Sequence, residues 1–467
     1  MNRKLIAIAI ALTLLLPCLA LTAQASGDPY AIGNPYEDVN WDTWGAYKTQ
    51  LHVHTNGSDG SEPLDAVVEE HYSLGYDILA ITDHMTLGAP WDQMPRTVPI
   101  MRLIKYSRTQ MAVMAPLTSE RRQEILTGVD RGGRGMLEIT RGVELNGAVP
   151  SNSHLQGFFS DFGQGFIGMD MDWETPVKRA QAAGGVTTLN HLGEPSGAED
   201  SGDINFYADN PNWVDKFAYL FVNYPSCLGM DVNSGTNDGT KYDMILYDEI
   251  LKKAVPHGSV PWAFTYSDGH GSGQFDRAFT IHLMPEKTEA ALRTSMETGA
   301  FFGFSRHARL DKGDAFVGAG DPPAVSSIAV DGAGAITITA SNFDTIVWTS
   351  MGEEITRTEA GDLGAYTETL NIADFDAKIG SYVRAYLLGP GGILYIQPFT
   401  VLRTDQLLDA PMPIPRVMDY SVPLSWISAV SNLLFSYTPL YLLKWVMVIF
   451  DPYVDLPFIP WAELIGG

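Results

Sequence analysis

The stretch from Tyr47 to His84 most narrows what this chain can fold into. "YKTQLHVH" reads as a strand, "EPLDAVVEEHYSLG" as an amphipathic helix and "YDILAITDH" as a buried strand. In the helix, apolar Leu64, Val67, Val68 and Leu74 recur at helical spacing, and Gly75 stands where a helix stops. Strand, helix and strand within roughly 35 residues make the βαβ unit of a parallel sheet. The alternation returns in "MLEITRGVEL", "TPVKRAQAAGGVTTLNH" and "VPWAFTYSDGH", so an α/β domain is expected over residues 46–318.

The texture changes near "VGAGDPPAVSS". Residues 322–403 carry short β-rich runs separated by Gly, Asn and Asp turns, the pattern of a small all-β sandwich, and "GPGG" marks a hairpin. No histidine falls in this segment, which assigns it a structural or accessory role. Residues 404–467 form a hydrophobic tail in which Lys444 is the single charge between Leu424 and Phe450. That span is long enough to cross a bilayer. Pro439 and the acidic stretch that follows argue against crossing. An interfacial or partner-binding tail and one packed on the protein's own surface are the other two readings.

At the other end, Arg3 and Lys4 precede the apolar run "LIAIAIALTLLLPCLAL", and Ala23-Gln24-Ala25 offers small residues for cleavage. Residues 1–25 therefore read as a signal peptide, with an uncleaved anchor as the alternative, and residues 26–45 as a loop segment. Cleavage would leave Cys227 as the one cysteine, so no intrachain disulfide is expected. The expected location is outside the cytoplasm, secreted, periplasmic or in the cell envelope, with the tail offering a membrane-surface contact. A formal net charge of −25 repels polyanions, and stable nucleic-acid binding is not expected.

The chemistry concentrates in the α/β region. The chain has ten histidines and none follows His307. His52 and His54, two apart, would share one face of a strand, as two ligands of one ion must. Asp59 follows in "GSDG", where it is either a turn residue or a carboxylate folded back toward the same site. Asp83 and His84 end one apolar strand, Glu144 and His154 lie in the next such setting, His191 ends "GGVTTLNH", and Asp268 and His270 end "WAFTYSDGH". Each alone suits a structural role as well as a ligand. Five strand-like segments each delivering such a residue at the C-terminal end point to one site, as in α/β barrels.

"HVHTNGSDG", "TDH", "GVEL" with a following "HL", "NH" and "SDGH" resemble, in order and over about 270 residues, the PHP family of polymerase and histidinol phosphatase metal-dependent phosphoesterases. The resemblance implies a distorted seven-stranded (β/α) barrel holding two to three divalent ions. His52, His54, Glu144 and Asp268 would hold the first. Glu144 would bridge to a second ion held by His154 and His191, and Asp59, His84 and His270 would hold the third. Some members carry histidine where Asp59 stands, so the third ion is the optional one. The β-rich segment is likewise similar to a sandwich that trails such domains in exported proteins. About 60 residues separate His84 from Glu144, an insertion including "MRLIKYSRTQMAVMAPL" that would shape or cover the site.

The residue types suit hydrolysis. Three divalent ions against Asp59, Glu144 and Asp268 keep a positive excess because imidazoles are neutral, enough to hold a hydroxide and a phosphate. Such ions activate water and clamp phosphoryl oxygens. Histidine-rich ligation favours Zn, Mn or Fe over Mg or Ca. The expected reaction is hydrolysis of a small phosphorylated substrate or a short phosphodiester by a metal-bound hydroxide, with Asp83, His84 and Asp268 as catalytic candidates. Arg277, Arg306 and His307 are candidate substrate contacts, and Arg141 could also reach a phosphate. His71, His257 and His282 read as structural. Two rivals stand: hydrolysis of an amide or carboxylic ester on the same metals, and a non-catalytic cell-envelope binding protein.

Overall fold

The computed structural model describes residues 30–97, 114–146, 154–166, 173–235, 240–403 and 413–415. The expected signal peptide, most of the Met-rich insertion and nearly all of the tail lie outside the described residues. Among these residues no helix is long and apolar enough to cross a membrane.

The architecture is mixed α/β with three sheets. Strands β1 (Tyr30–Gly33), β2 (Gly45–Gln50), β3 (Ile78–Ala80) and β4 (Leu137–Ile139) belong to the largest sheet, where β2, β3 and β4 run parallel. Helix α1 (Leu64–Ser73) connects β2 to β3 and buries Leu64, Val67, Val68, His71 and Tyr72 along one stripe. Gly75, just beyond it, takes φ of 82°, a left-handed value that ends the helix. The expected βαβ unit is therefore present.

A five-stranded sheet follows, in the order β5 (Gly142–Asn146), β6 (His154–Phe158), β7 (Val186–Leu189), β8 (Cys227–Asp231) and β9 (Trp262–Phe264). β7, β8 and β9 are parallel, whereas β6 runs antiparallel to both its neighbours. Its apolar interior is shared with the first sheet. Leu51, Ile78, Ala80 and Ile139 from one side meet Phe158, Val186, Leu228 and Phe264 from the other. Each fully buried side chain of this size contributes about 1.5–3 kcal/mol. At the strand ends the two sheets touch directly, through parallel bridges between Val53 and Gly269 and between His84 and Glu144.

The large sheet extends through β10 (Ala278–Met284) and β11 (Phe301–Ser305), and then into the C-terminal strands. Of these, β12 (Ala324–Val330), β13 (Ala335–Ser341) and β16 (Tyr366–Asn371) form a separate three-stranded sheet. The others, β14 (Thr345–Ser350), β15 (Glu353–Glu359), β17 (Tyr382–Gly389), β18 (Gly392–Ile396) and β19 (Phe399–Arg403), join the large sheet. β18 pairs with β11, Phe304 opposite Leu394, so hydrogen bonding runs unbroken across residue 320. The "GPGG" hairpin is present, with Gly389 paired to Gly392. Ile336, Ile338 and Leu370 of the three-stranded sheet share a core with Trp348, Val383 and Leu387 of the large one.

Candidate metal centre

His52 and His54 follow β2 immediately, and the alternation of the extended chain sends both rings to one side while Leu51 and Val53 go into the core. Both histidines are fully buried. Their Nε2 atoms lie 3.1 Å apart, and each faces Asp268 Oδ1, at 3.1 Å from His52 and 3.3 Å from His54.

Glu144, within β5, is the hub. Its Oε1 lies 3.3 Å from His52 Nε2, 3.5 Å from His154 Nδ1 and 3.6 Å from His191 Nε2. Its Oε2 lies 3.1 Å from both His54 Nε2 and His84 Nδ1. The Asn190 amide donates to Oε1 at 3.1 Å and fixes the carboxylate's rotation. A second focus surrounds Asp59. Its Oδ1 is 3.3 Å from His270 Nε2 and 3.4 Å from His54 Nδ1, and its Oδ2 is 3.4 Å from His84 Nε2. Asp59 and His270 keep 39% and 34% of their side-chain surface exposed, whereas Glu144 keeps 1%. The cluster therefore opens to solvent on the Asp59 side.

Three groupings could each hold an ion: His52, His54 and Glu144; His84, Glu144 and His154; and His54, Asp59, His84 and His270. All nine residues expected as ligands are brought together. The grouping around Asp59 includes His54 beyond the expected His84 and His270. His154 reaches the site differently from the sequence expectation. It is the first residue of β6, not a C-terminal strand end, and arrives at the same rim because β6 runs antiparallel.

Charge coupling is strong. Burial works against a negative Glu144, but His52, His84 and His154 hold its pKa well below the usual carboxylate range. Burial likewise opposes a charged His54, but Asp268 and Glu144 outweigh it and raise its pKa well above the ordinary value. His154 is pushed down to about 3, chiefly by burial. Among the described residues the buried Nδ1 of His84, which faces Glu144 Oε2, makes no hydrogen bond. His191 and Asp268 also take positive φ, 31° and 49°, and Met85 beside His84 takes 53°. Backbone strain of this kind costs about 1–3 kcal/mol per residue and gathers at functional sites.

The remaining candidates separate. Asp83 is buried but turned into the Leu51–Glu62 loop, where it accepts from the Thr55 amide (2.8 Å) and hydroxyl (2.6 Å) and from the Ser58 amide (3.2 Å) and hydroxyl (2.7 Å). Ser58 Oγ in turn lies 3.2 Å from His54 Nδ1. Arg306 is committed to Asp276 and to the Gly320 carbonyl, and Arg141 to Glu289 at 2.5 Å. Among the described residues the Arg277 side chain has no ion pair or hydrogen bond, and its Cβ stands against Gly235 beyond the end of β8. His307 is buried, its carbonyl accepting from Asn233 at 2.7 Å. His71 and His282 are core residues.

Sequence reasoning missed Asn190, Ser58 and Asp231. The first two are chain neighbours of His191 and Asp59, which was the available signal. Asp231 ends β8, and burial pushes its pKa up to about 7 despite the opposing fields of His52 and His191.

No family model matches this chain, and no curated protein does. Solved structures similar to it include a two-domain protein from Bacteroides vulgatus containing a predicted PHP-like metal-dependent phosphoesterase. That match has 14% identity and a TM-score of 0.39, over 78% of this chain and 97% of that one. An amidohydrolase from Chromobacterium violaceum, with bound sulfate and no metal, matches at 16% identity and TM-score 0.28, over 48% and 88%. A lesion-specific endonuclease from Pyrococcus furiosus matches at 10% identity and TM-score 0.31, over 54% and 56%.

Proposed function

We propose that this protein is a metal-dependent hydrolase that cleaves a phosphate mono- or diester. The observation that carries the reading is the Glu144 carboxylate, buried among five imidazoles at 3.1–3.6 Å. Four ligands about 2.1 Å from one ion stand roughly 3.4 Å from one another. The spacings here are those of a ligand shell, and three of the five, at 3.3–3.6 Å, exceed the ordinary hydrogen-bond range. The His84 Nδ1, facing Glu144 without a hydrogen bond among the described residues, and a mixed imidazole and carboxylate donor set fit Zn, Mn or Fe. The motif order that resembles the PHP family points to the same chemistry, and the bridges that join the two sheets at His84 and Val53 support the distorted barrel.

Bound divalent ions would lower the pKa of a coordinated water and polarise the phosphoryl oxygens. The chain's own residues do the rest. Glu144, Asp268 and Asp59 supply the negative charge that holds the ions, and Asn190 keeps Glu144 in one rotamer. Asp83 acts through Ser58 on His54 and positions the first loop. Substrate approaches from the exposed Asp59 and His270 side, and Arg277, without a side-chain partner among the described residues, is available to a phosphate. Export and contact of the tail with a membrane surface belong to the same reading, and fractionation of cells producing the full chain tests them.

The function is tested by metal analysis together with turnover of p-nitrophenyl phosphate and its bis ester. Two or more transition ions per chain and phosphatase activity lost in Asp268→Asn are expected. Fewer than two ions would sink a multinuclear site. Cleavage of p-nitrophenyl acetate or an anilide without either phosphate ester would move the assignment to an amide or carboxylic-ester hydrolase.

A further inference from the structure

A cavity of about 280 Å³ lies on the seam between the α/β region and the C-terminal strands, and none of its wall residues belongs to the metal cluster. Its wall comes from the end of β8, helix α2 (Thr240–Ala254), the segment after β11 and strands β14, β15, β17 and β18. The space equals roughly nine waters at ~30 Å³ each, near the lower end of ligand pockets.

Among the described residues, three wall residues keep a polar atom closed off from solvent and without a hydrogen-bond partner, Asn233 Oδ1, Thr349 Oγ1 and Arg384 Nη1, each within a side-chain rotation of the cavity. Each such group costs about 1–3 kcal/mol unless something satisfies it. Arg384 is otherwise fully engaged. Its Nε and Nη2 donate to the two oxygens of Asp248 at 2.9 and 2.5 Å, and the Tyr382 hydroxyl donates to the same carboxylate at 2.9 Å. The ion pair neutralises the guanidinium, and the four basic and four acidic side chains of the whole wall cancel. No net field draws a phosphate. What the wall lacks is a partner offering both donors and acceptors, and a hydroxyl is both. Tyr386 and Tyr395 add aromatic surface with polar tips.

We propose that this cavity binds a neutral polyhydroxylated ligand of monosaccharide size. Its hydroxyls accept from Arg384 Nη1 and donate to Asn233 Oδ1, with Thr349 able to do either, after the small side-chain rotations usual on binding. The site is independent of the metal cluster, and so is its test.

Calorimetric titration and saturation-transfer NMR would use the full chain with glucose, galactose, xylose and N-acetylglucosamine in turn, and with inorganic phosphate as the anionic probe. At least one sugar binds. Thr349→Val weakens it about 10-fold, the loss of one hydrogen bond, and Leu310→Trp, at an exposed rim position, abolishes it. In the sugar-free protein Leu310→Trp leaves the melting temperature unchanged, and Thr349→Val, which removes an unpaired hydroxyl, does not lower it. Binding by none of the sugars overturns the proposal, as does sugar binding that both variants leave unchanged. Phosphate binding in place of sugar, lost in the same variants, overturns the neutral ligand.

Discussion

His52 and His54 bring their Nε2 atoms to 3.1 Å of one another, with Asp268 Oδ1 within 3.3 Å of both. Two imidazole nitrogens and a carboxylate oxygen converging in a buried space repel unless protons or a cation stand between them. A divalent ion satisfies all three at once. His54→Ala removes one of the two imidazoles, with His84, that face both the Glu144 and the Asp59 foci. Its activity on an aryl phosphate is expected to fall more than ~100-fold, beyond the 10–100-fold typical of outer-shell partners. Plasma emission analysis should show fewer ions per chain, and an unchanged metal content would dismiss the ligand assignment.

Asp83 tests the difference between holding the site and taking part in it. Its two oxygens already accept four hydrogen bonds from Thr55 and Ser58. Asp83→Ala leaves those buried donors unpaired, which costs on the order of 1–3 kcal/mol each, with partial compensation by relaxation. Urea unfolding should show a loss of that order alongside reduced metal affinity. Full stability with abolished turnover would instead make Asp83 a direct participant.

What could be read in the chain and what could not follows from the range of each signal. His52, His54, His84 and Asp268 were legible because strand alternation and strand ends are local patterns. The position of His154 at the start of β6 was not, because strand direction depends on distant partners: Gln156 pairs with Glu144 on one side and Thr188 on the other. For the same reason the β-rich run from Ser326 to Val401 did not reveal that Leu394 pairs with Phe304. A strand has the same composition whether it pairs inside its own segment or across a boundary. Asp83 adjoins His84, which left open whether it supports a ligand or donates a proton, and loop closure over Thr55 and Ser58 directs its carboxylate to those two residues.

The two arginines divide in the same way. Arg306 holds Asp276 through Nη2 and the Asp276 carbonyl through Nε, so Arg306→Ala should lower the melting temperature. Arg277 has no such partner among the described residues, and Arg277→Ala should leave the melting temperature unchanged. If Arg277 meets a phosphate, its loss removes a charge-assisted hydrogen bond and raises KM about 10-fold or more with a smaller change in kcat. An unchanged KM would exclude it from the substrate site.

His282 carries the last prediction. It is fully buried on β10, its Nδ1 2.9 Å from Ser295 Oγ and its Nε2 3.1 Å from Thr280 Oγ1, and no ion pair reaches it. Burial pushes its pKa down to about 3, against an ordinary value of 6.5. Between those values the unfolded chain binds a proton that the folded chain refuses, so stability rises with pH. The contribution is complete above about pH 6.5 and is lost as pH falls toward 3, on the order of 4–5 kcal/mol at the acid limit. His154, pushed down to about 3 by burial, adds a change of the same sign, so the informative quantity is the difference between wild type and His282→Gln. The variant should lose less stability than wild type between pH 7 and pH 4 in calorimetry on EDTA-treated protein. Parallel stability curves would mean that His282 accepts its proton without unfolding the chain.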